Sequence, residues 1–377
     1  KGVVMDLDEH GTLHVNSSNN KIVINGVSVL EALAHAQSQQ AATNQLIAEA
    51  YATLAATAAN LHTSTQALLQ AANPHVSVSL DSAGSQPNLD LGEKGLGAWS
   101  FGIVVGMPGG VYLQNNNLAD IDMGLVTTVA GNLRLDNNEL TLARFHHLKS
   151  VGGSLQLQQN HLTALHFNSL ETVVGDLYLF ENSLTAVDFG PLLTVGGGIS
   201  LRDNLFTSVS FGRIEHVGGG IGLADNSLLT AVDFGHITFV GVSLSLPGNS
   251  ISSLHFGALE NVEDSIDLQG NYLTAISFAQ VTRVGGSINL SDNSLTAVNF
   301  AGLTKVGGTV HLNANDLTTV DFGQVESVAG NIYLQGNPRL ASVNCRGLTA
   351  NCICIDTGAD VQQTDCPQPC AFTGCEQ

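Results

Sequence analysis

The chain has 377 residues, of which 44% are hydrophobic, and this is enough apolar material for a core and argues against a disordered protein. Charged residues make up only 12%, and 32 acidic against 12 basic side chains give a formal net charge of -20. Because so few Lys and Arg cannot neutralise a phosphate backbone, we expect no nucleic-acid partner. No apolar run approaches the roughly 18 residues of a transmembrane segment.

Residues 1–28 predict a β-hairpin-like element. Short β-type runs occupy residues 3–7, 12–15 and 21–24. They are separated by His10-Gly11, by an Asn-Ser cluster and by Asn25-Gly26, and the last is a typical hairpin turn.

Residues 29–73 predict one long Ala-rich coiled-coil helix, with no Gly or Pro before Pro74. Its only charged residues are Glu31 and Glu49. Because an Ala-rich helix is marginal unless other chains cover it, the heptad pattern favours self-association. The predicted assembly residues are Leu30, Leu33, Ala41, Ile47, Ala48, Tyr51, Leu54, Leu61 and Leu68. The alternative is a helix folded back along its own chain.

Residues 74–109 contain no evident repeat and predict a linker followed by an N-terminal cap. The apolar cluster Trp99, Phe101, Ile103 and Val104 would cover the end of the repeats that follow.

Residues 110–344 contain an internal repeat of 22 residues. Its eleven copies are marked by Asn116, Asn138, Asn160, Asn182, Asn204, Asn226, Asn249, Asn271, Asn293, Asn315 and Asn337. One interval has 23 residues, because an extra Leu lies within 227–230. A column of Phe recurs at a fixed offset from the Asn. Apolar residues alternate with period two in two short runs of each copy, so we predict a mainly β fold, a right-handed parallel β-solenoid of eleven leucine-rich coils.

Two further features of the repeat are assigned to its corners. A Val-Gly-Gly element such as Val284-Gly285-Gly286 is expected to adopt corner backbone angles, and the Asn is expected to turn inward and satisfy unpaired backbone groups. Thr141, Thr296 and their equivalents form a hydroxyl column that favours a structural ladder over an ice-binding surface.

The repeat resembles known families. The pattern Leu-x-Leu-x-x-Asn-x-Leu, as in residues 310–317 with Val310 in the first Leu position, is that of leucine-rich repeats. The Val-Gly-Gly corner and the Thr-x-Val-x-Phe strand resemble receptor L domains and the glycan-anchored cell-wall proteins of fungi. The N-terminal third, with polar heptad-core positions such as Gln37 and Asn44, resembles the necks of trimeric fibre proteins. These resemblances imply architecture and no ligand-binding residue.

Residues 345–377 predict a disulfide-rich C-terminal cap. All six cysteines lie here: Cys345, Cys352, Cys354, Cys366, Cys370 and Cys375. Their even number and crowding favour disulfides and a secreted, extracellular or cell-surface protein, whereas zinc-finger spacing is missing. The pairing is left open. Asn16 and Asn289 begin glycosylation sequons, and the chain starts at Lys1 without Met, which suggests a processed or partial product.

No motif predicts a catalytic residue, metal or cofactor. The histidines share no column in neighbouring coils, which favours solvated side chains over a ligand ladder. Carboxylates such as Asp188, Asp233 and Asp321 occupy one outward column without forming a paired acid and base.

We therefore expect a non-enzymatic secreted structural protein, a self-assembling subunit of an extracellular filament, hair or surface coat. The alternative is an adhesion or receptor ectodomain that binds a protein or glycan on its strand face. There, Tyr112, Tyr178 and Tyr333 share one outward column with Arg134 and Gln156.

Overall fold

The computed structural model describes residues 87–101, 105–356 and 361–370, together with the backbone of five strands nearer the N terminus. Those strands are Gly2–Leu7, Leu13–Ser18, Val23–Ile24, Val27–Ser28 and Ser77–Leu80. The described residues contain no α-helix, and hence no helix that could span a bilayer. The predicted helix at 29–73, with its whole assembly face, lies outside the described residues.

The first four strands form one small sheet. Gly2–Leu7 pairs antiparallel with Leu13–Ser18 and parallel with Val23–Ile24. Val23 pairs with Ser28, and Ile24 with Val27, which confirms the chain reversal predicted between these strands.

The rest of the described chain is a parallel β-solenoid with about 12 turns of ~22 residues. Each coil contributes three short strands to faces that we name A, B and C in chain order. Most strands of successive coils pair in parallel at the repeat spacing, so that Leu133 lies between Val111 and Leu155. On face C the strands form several short sheets. This architecture confirms the predicted parallel solenoid. The chain divides into two compact units, Lys1–Gly175 and Asp176–Gln377.

The strands of the N-terminal unit follow this pattern. Face A has Gly106–Met107, Thr128–Val129, Ser150–Val151 and Thr172–Val173. Face B has Pro87–Asp90, Val111–Tyr112, Leu133–Arg134 and Leu155–Gln156, and Ser77–Leu80 joins this sheet antiparallel to Pro87–Asp90. Face C has Ala98–Ser100, Asp120–Asp122, Leu142–Arg144 and Ala164–His166.

The C-terminal unit repeats the same three strands. Face A has Thr194–Val195, His216–Val217, Phe239–Val240, Asn261–Val262, Arg283–Val284, Lys305–Val306 and Ser327–Val328. Face B has Leu177–Tyr178, Ile199–Ser200, Ile221–Gly222, Leu244–Ser245, Ile266–Asp267, Ile288–Asn289, Val310–His311, Ile332–Tyr333 and Ile353–Cys354. Face C has Ala186–Asp188, Ser208–Ser210, Ala231–Asp233, Ser253–His255, Ala275–Ser277, Ala297–Asn299, Thr319–Asp321, Ser342–Asn344 and Gln362–Thr364.

The repeat Asn connects each coil to the one before it. Asn226 is fully buried, and its Nδ2 donates to the carbonyls of Leu223 (2.8 Å) in its own coil and Leu201 (3.1 Å) in the preceding coil. Its Oδ1 accepts from the backbone N of Asn204 (3.1 Å). The predicted inward turn of this column is therefore confirmed, and the amide satisfies backbone groups of two coils at once.

The sharpest backbone turn lies one residue before the Asn, which the sequence did not predict. Asn137, Asp225 and Ala314 there have φ values of 53°, 60° and 54°. The Val-Gly-Gly element was expected to contain glycine because its corner requires unusual backbone angles. This explanation is wrong, because none of those glycines has a positive φ among the described residues. Instead the neighbouring coil passes close by, and a Cβ on Gly285 would lie 2.0 Å from the carbonyl oxygen of Glu263.

The interior is built from stacked columns of one residue type. In the C-terminal unit, Phe211 lies 5.3 Å from Phe234 between ring centroids, with the rings only 4° from parallel. The extra residue in the 23-residue coil is Leu228, which is 53% exposed, while Leu229 keeps the core position. The core column therefore tolerates the extra residue, because the side chain of Leu228 is exposed to solvent at the corner and leaves the packing of the interior unchanged.

Residues 87–101 form a further coil, although they lie in the segment 74–109 that was predicted as a linker and cap. Trp99 pairs with Ile121 of the following coil, and both Trp99 and Phe101 are buried. Lys94 replaces the repeat Asn, and its backbone N donates to Oδ1 of Asn116 at 2.8 Å. The missing Asn hid this coil in the sequence, while Ile103 and Val104 lie outside the described residues.

The last coils extend past residue 344. Ser342–Asn344 pairs with Gln362–Thr364, and Ile332 pairs with Ile353. Cys345 is fully buried one coil after Phe322 and is bonded to Cys366, and Cys352 is bonded to Cys370. The two disulfides thus staple the terminal strands in place.

We expect Asn226→Ala to destabilise the solenoid by several kcal/mol, because buried backbone groups in two coils would lose their partner at about 1–3 kcal/mol each. Urea unfolding measures the loss. Asn293, which is only half-buried, is the matched site, and Asn293→Ala should cost less. Equal losses would contradict the dependence on burial.

We expect the double variant Cys352→Ser/Cys370→Ser to loosen the terminal coil alone, since a loop of this length contributes about 3 kcal/mol to stability. Hydrogen exchange should accelerate at Ile353–Cys354 and remain unchanged at Leu244–Ser245. Acceleration in both strands would show that the staple stabilises the whole unit.

Candidate functional site on face B

Face B presents the richest set of outward side chains. Its inward residues are Leu, Ile or Val, and the residues between them point outward because side chains alternate along a strand. Tyr112, Arg134 and Gln156 lie in direct register in the N-terminal unit, which confirms their predicted common column.

An ion pair organises the N-terminal part of this face. Arg134 donates through Nε to Oδ1 of Asp136 (3.1 Å) and through Nη2 to Oδ2 (3.0 Å). This hydrogen-bonded carboxylate raises the pKa of the Arg134 guanidinium, and the charges of Tyr112 and Asp90 add to the effect. The guanidinium is therefore held against the strand rather than projected into solvent.

An aromatic and arginine cluster lies on face B of the C-terminal unit. Tyr178 and Phe180 pack edge to face with ring centroids 5.9 Å apart. The guanidinium carbon of Arg202 lies 4.2 Å from the Phe180 centroid, a cation–π contact. Arg202 also pairs with Glu181 (3.1 Å) and Asp203 (2.7 Å).

The tyrosine of this cluster is held in place. Burial raises the pKa of Tyr178, and a hydrogen bond to Asp176 raises it further. Sequence reasoning found Tyr178 but missed Phe180 and Arg202, which lie two residues further along each strand. Each lies two residues after the outward residue of its strand, Tyr178 or Ser200, and this spacing could have identified both as outward residues.

A low region that we call the trough follows this cluster. Its floor is Ser200, Gly222 and Ser245, which lie in register on successive coils. A Cβ on Gly222 would meet no atom within 4 Å, so the space above it is open. Tyr178 and Phe180 bound the trough on one side, and the taller Asp267 and Gln269 bound it on the other, at the coil after Ser245.

A second aromatic stack lies further along the same face. His311 lies on Tyr333 with ring centroids 5.1 Å apart, and Asn331 Nδ2 donates to the Tyr333 hydroxyl at 3.0 Å. Burial lowers the pKa of His311, against the opposing charge of Asp267. The expectation of solvated histidines is wrong for His311, because the neighbouring Tyr covers its ring.

The candidate glycosylation residue Asn289 lies on the same face and is half-buried. Its Nδ2 donates to Gln269 Oε1 (3.1 Å), and its Oδ1 accepts from Ser291 Oγ (2.7 Å). A glycan here would replace the Gln269 contact and cover this part of face B. The side chain of Asn16, in Leu13–Ser18, lies outside the described residues, so glycosylation stays a prediction at both positions.

The outward columns of face C bond to the backbone. Asp188, Asp233 and Asp321 each accept from the N–H two residues later, at 2.9, 3.0 and 3.0 Å. These bonds stabilise the turn after the column Phe. The hydroxyls of Thr230 and Thr296 donate to carbonyls of the preceding coil at 3.1 and 3.2 Å, which supports the structural reading of the Thr column.

The terminal cysteines are occupied by disulfides. The sulfur atoms of Cys352, Cys354 and Cys370 lie within 4.8 Å of one another. Cys354 is also disulfide-bonded, so none of the three supplies the thiolate that a metal site requires. Cys375 lies outside the described residues.

We expect acid to weaken the region around His311. The folded chain holds the pKa of His311 below the ordinary 6.5. As pH falls, the unfolded chain therefore takes up the proton first. The stability present above pH 6.5 is lost as pH falls from the pKa of the unfolded chain to that of the folded chain. The variant His311→Gln should have a smaller fall in its urea midpoint between about pH 7 and 5. An unchanged fall would contradict this assignment.

The chain matches no protein-family model. It also matches no curated protein. Function is therefore inferred from the residues themselves.

Proposed function

We propose that this chain is a non-enzymatic secreted structural protein, a self-assembling subunit of an extracellular filament, hair or surface coat. One observation carries the proposal: the polar side chains that recur along the coils hold the coils together. Asn226 links two coils, Thr296 bonds to the preceding coil, and Asp233 fixes a turn. A chain whose repeated polar groups serve its own rigidity suits a mechanical or spacing role.

The disulfides support an extracellular location for this role. Thiols of cytosolic proteins are kept reduced, whereas Cys345–Cys366 and Cys352–Cys370 staple the terminal strands. The leucine-rich pattern, with its buried Asn, supports membership of the leucine-rich or L-domain type of solenoid found in fungal cell-wall proteins. That kinship is part of the proposal.

Assembly is assigned to residues 29–73. Glu31 and Glu49 are the only charged residues in the sequence of this segment. A coiled coil of several chains would cover its broad Ala face, whereas an isolated helix of this composition is marginal in water. The solenoid would then extend from this junction as the displayed arm.

We expect Ala41→Lys/Ala48→Lys to dissociate the full-length protein into monomers, because two ammonium groups per chain would be buried at the interface. Light scattering coupled to size-exclusion chromatography measures the mass. The matched control Ser38→Lys/Gln45→Lys adds the same charge at outward heptad positions and should leave the assembly intact. A monomeric unsubstituted protein would overturn the proposal.

An adhesion or receptor ectodomain is the second candidate. It is favoured by the half-exposed Tyr178, Phe180 and Arg202 on face B, because Tyr and Arg are enriched at protein interfaces. Such a protein would bind a protein or glycan on this face, with or without assembly through residues 29–73.

A further inference from the structure

The charges around the trough are unbalanced. Arg202 is the basic residue at its edge, and Glu181 and Asp203 already neutralise it. Asp267 and Asp225, which lies in the turn three residues after Gly222, form no ion pair within the described part of the chain. Among the described residues Asp267 accepts the backbone N of Gln269 alone, at 3.1 Å, and Asp225 is exposed. The trough and the turn beside it therefore carry uncompensated negative charge.

The side of the trough next to Tyr178 suits a cationic side chain. Aromatic rings attract guanidinium and ammonium groups. Arg202 already occupies this position on Phe180 at 4.2 Å, which leaves the ring of Tyr178 for a cation of the partner. Tyr178 is fixed by its packing on Phe180 and by its bond to Asp176, so little conformational entropy would be lost when a partner binds.

The dimensions of the trough suit an extended chain. Ser200, Gly222 and Ser245 occupy three neighbouring strands, and at about 4.8 Å per strand the low region is roughly 10–15 Å wide. Stacked β-sheets pack about 10 Å apart, so an extended peptide with its side chains fits this width. Gly222 is at the centre, where the open space above its Cα admits the peptide backbone.

We propose that the trough of face B binds an extended, Lys- and Arg-rich segment of another protein. Asp225 and Asp267 would pair with its cations, and Tyr178 and Phe180 would pack against the aliphatic stems of those side chains. The trough includes none of residues 29–73, so this proposal goes beyond the proposed assembly and can succeed or fail independently of it.

The first test measures binding by the full-length protein. The probe is a fluorescein-labelled nine-residue peptide of alternating Arg and Ser, and a matched peptide of alternating Glu and Ser is the control. Fluorescence anisotropy should detect the Arg peptide alone, with affinity that falls as salt rises from about 50 to 500 mM. Equal binding of both peptides, or binding of neither, would overturn the proposal.

Two substitutions at Gly222 then locate the site. Gly222→Tyr fills the open space and should weaken binding at least about tenfold, as expected for blocking the centre of an interface. Gly222→Ser leaves the trough low and should preserve affinity. Both variants should keep the unsubstituted melting temperature, because a Cβ meets no atom there. Binding that is unchanged by Gly222→Tyr would overturn the location.

A charge-matched pair separates a site from diffuse attraction. Asp225→Asn/Asp267→Asn should weaken binding about tenfold. Glu215→Gln/Glu260→Gln removes the same charge from exposed positions beside face A and should change affinity less than about twofold. Equal losses would overturn the proposal, as would salt-independent displacement of the Arg peptide by chitohexaose, which would assign the trough to a neutral glycan.

Discussion

The buried asparagine of each coil is the interaction on which the rest of the solenoid depends. Its amide has two donors and one acceptor of fixed geometry, and in Asn226 these reach carbonyls of two coils and an N–H of the preceding one. A slip of one residue between coils would break the bonds of Asn226 to the preceding coil and turn the inward face outward. The amide column thus fixes the register, and the register fixes every other column.

The same amides compensate for a strained backbone. A non-glycine residue with positive φ costs on the order of 1 kcal/mol or more. The structure accepts that cost before eight of the eleven repeat Asn residues, among them Asn137, Asp225 and Ala314, and glycine occupies the other three turns. The bonds of the following Asn hold the turn, and most of the residues in it are Asn, Asp or Gly, which adopt a positive φ most readily. Because Gln159, Glu181 and Ala314 also occupy this position, its signature in the sequence is weaker than that of the Asn column.

Sequence reasoning therefore succeeded where one residue type is required at one position. The period, the inward Asn, the Phe column and the common column of Tyr112, Arg134 and Gln156 all follow from a fixed spacing. Sequence reasoning failed where the backbone geometry, and not one residue type, determines the structure. The coil at 87–101 stacks in register without its Asn, since Lys94 needs only a backbone N–H to meet Asn116. The glycine corners reflect the closeness of the adjacent coil, which no single coil reveals.

The contacts between outward side chains also divide into those that the repeat period predicts and those that it does not. The stack of His311 on Tyr333 joins residues in register on neighbouring coils, so the period implies their proximity. The contact of Arg202 with Phe180 depends instead on a side-chain rotamer that is set by two carboxylates of different coils. The low floor at Gly222 is a further kind of feature, because it consists of small residues within columns that elsewhere carry large ones. Since the core beneath it is uniform, such local differences in side-chain size are what make one stretch of an otherwise repetitive face distinct.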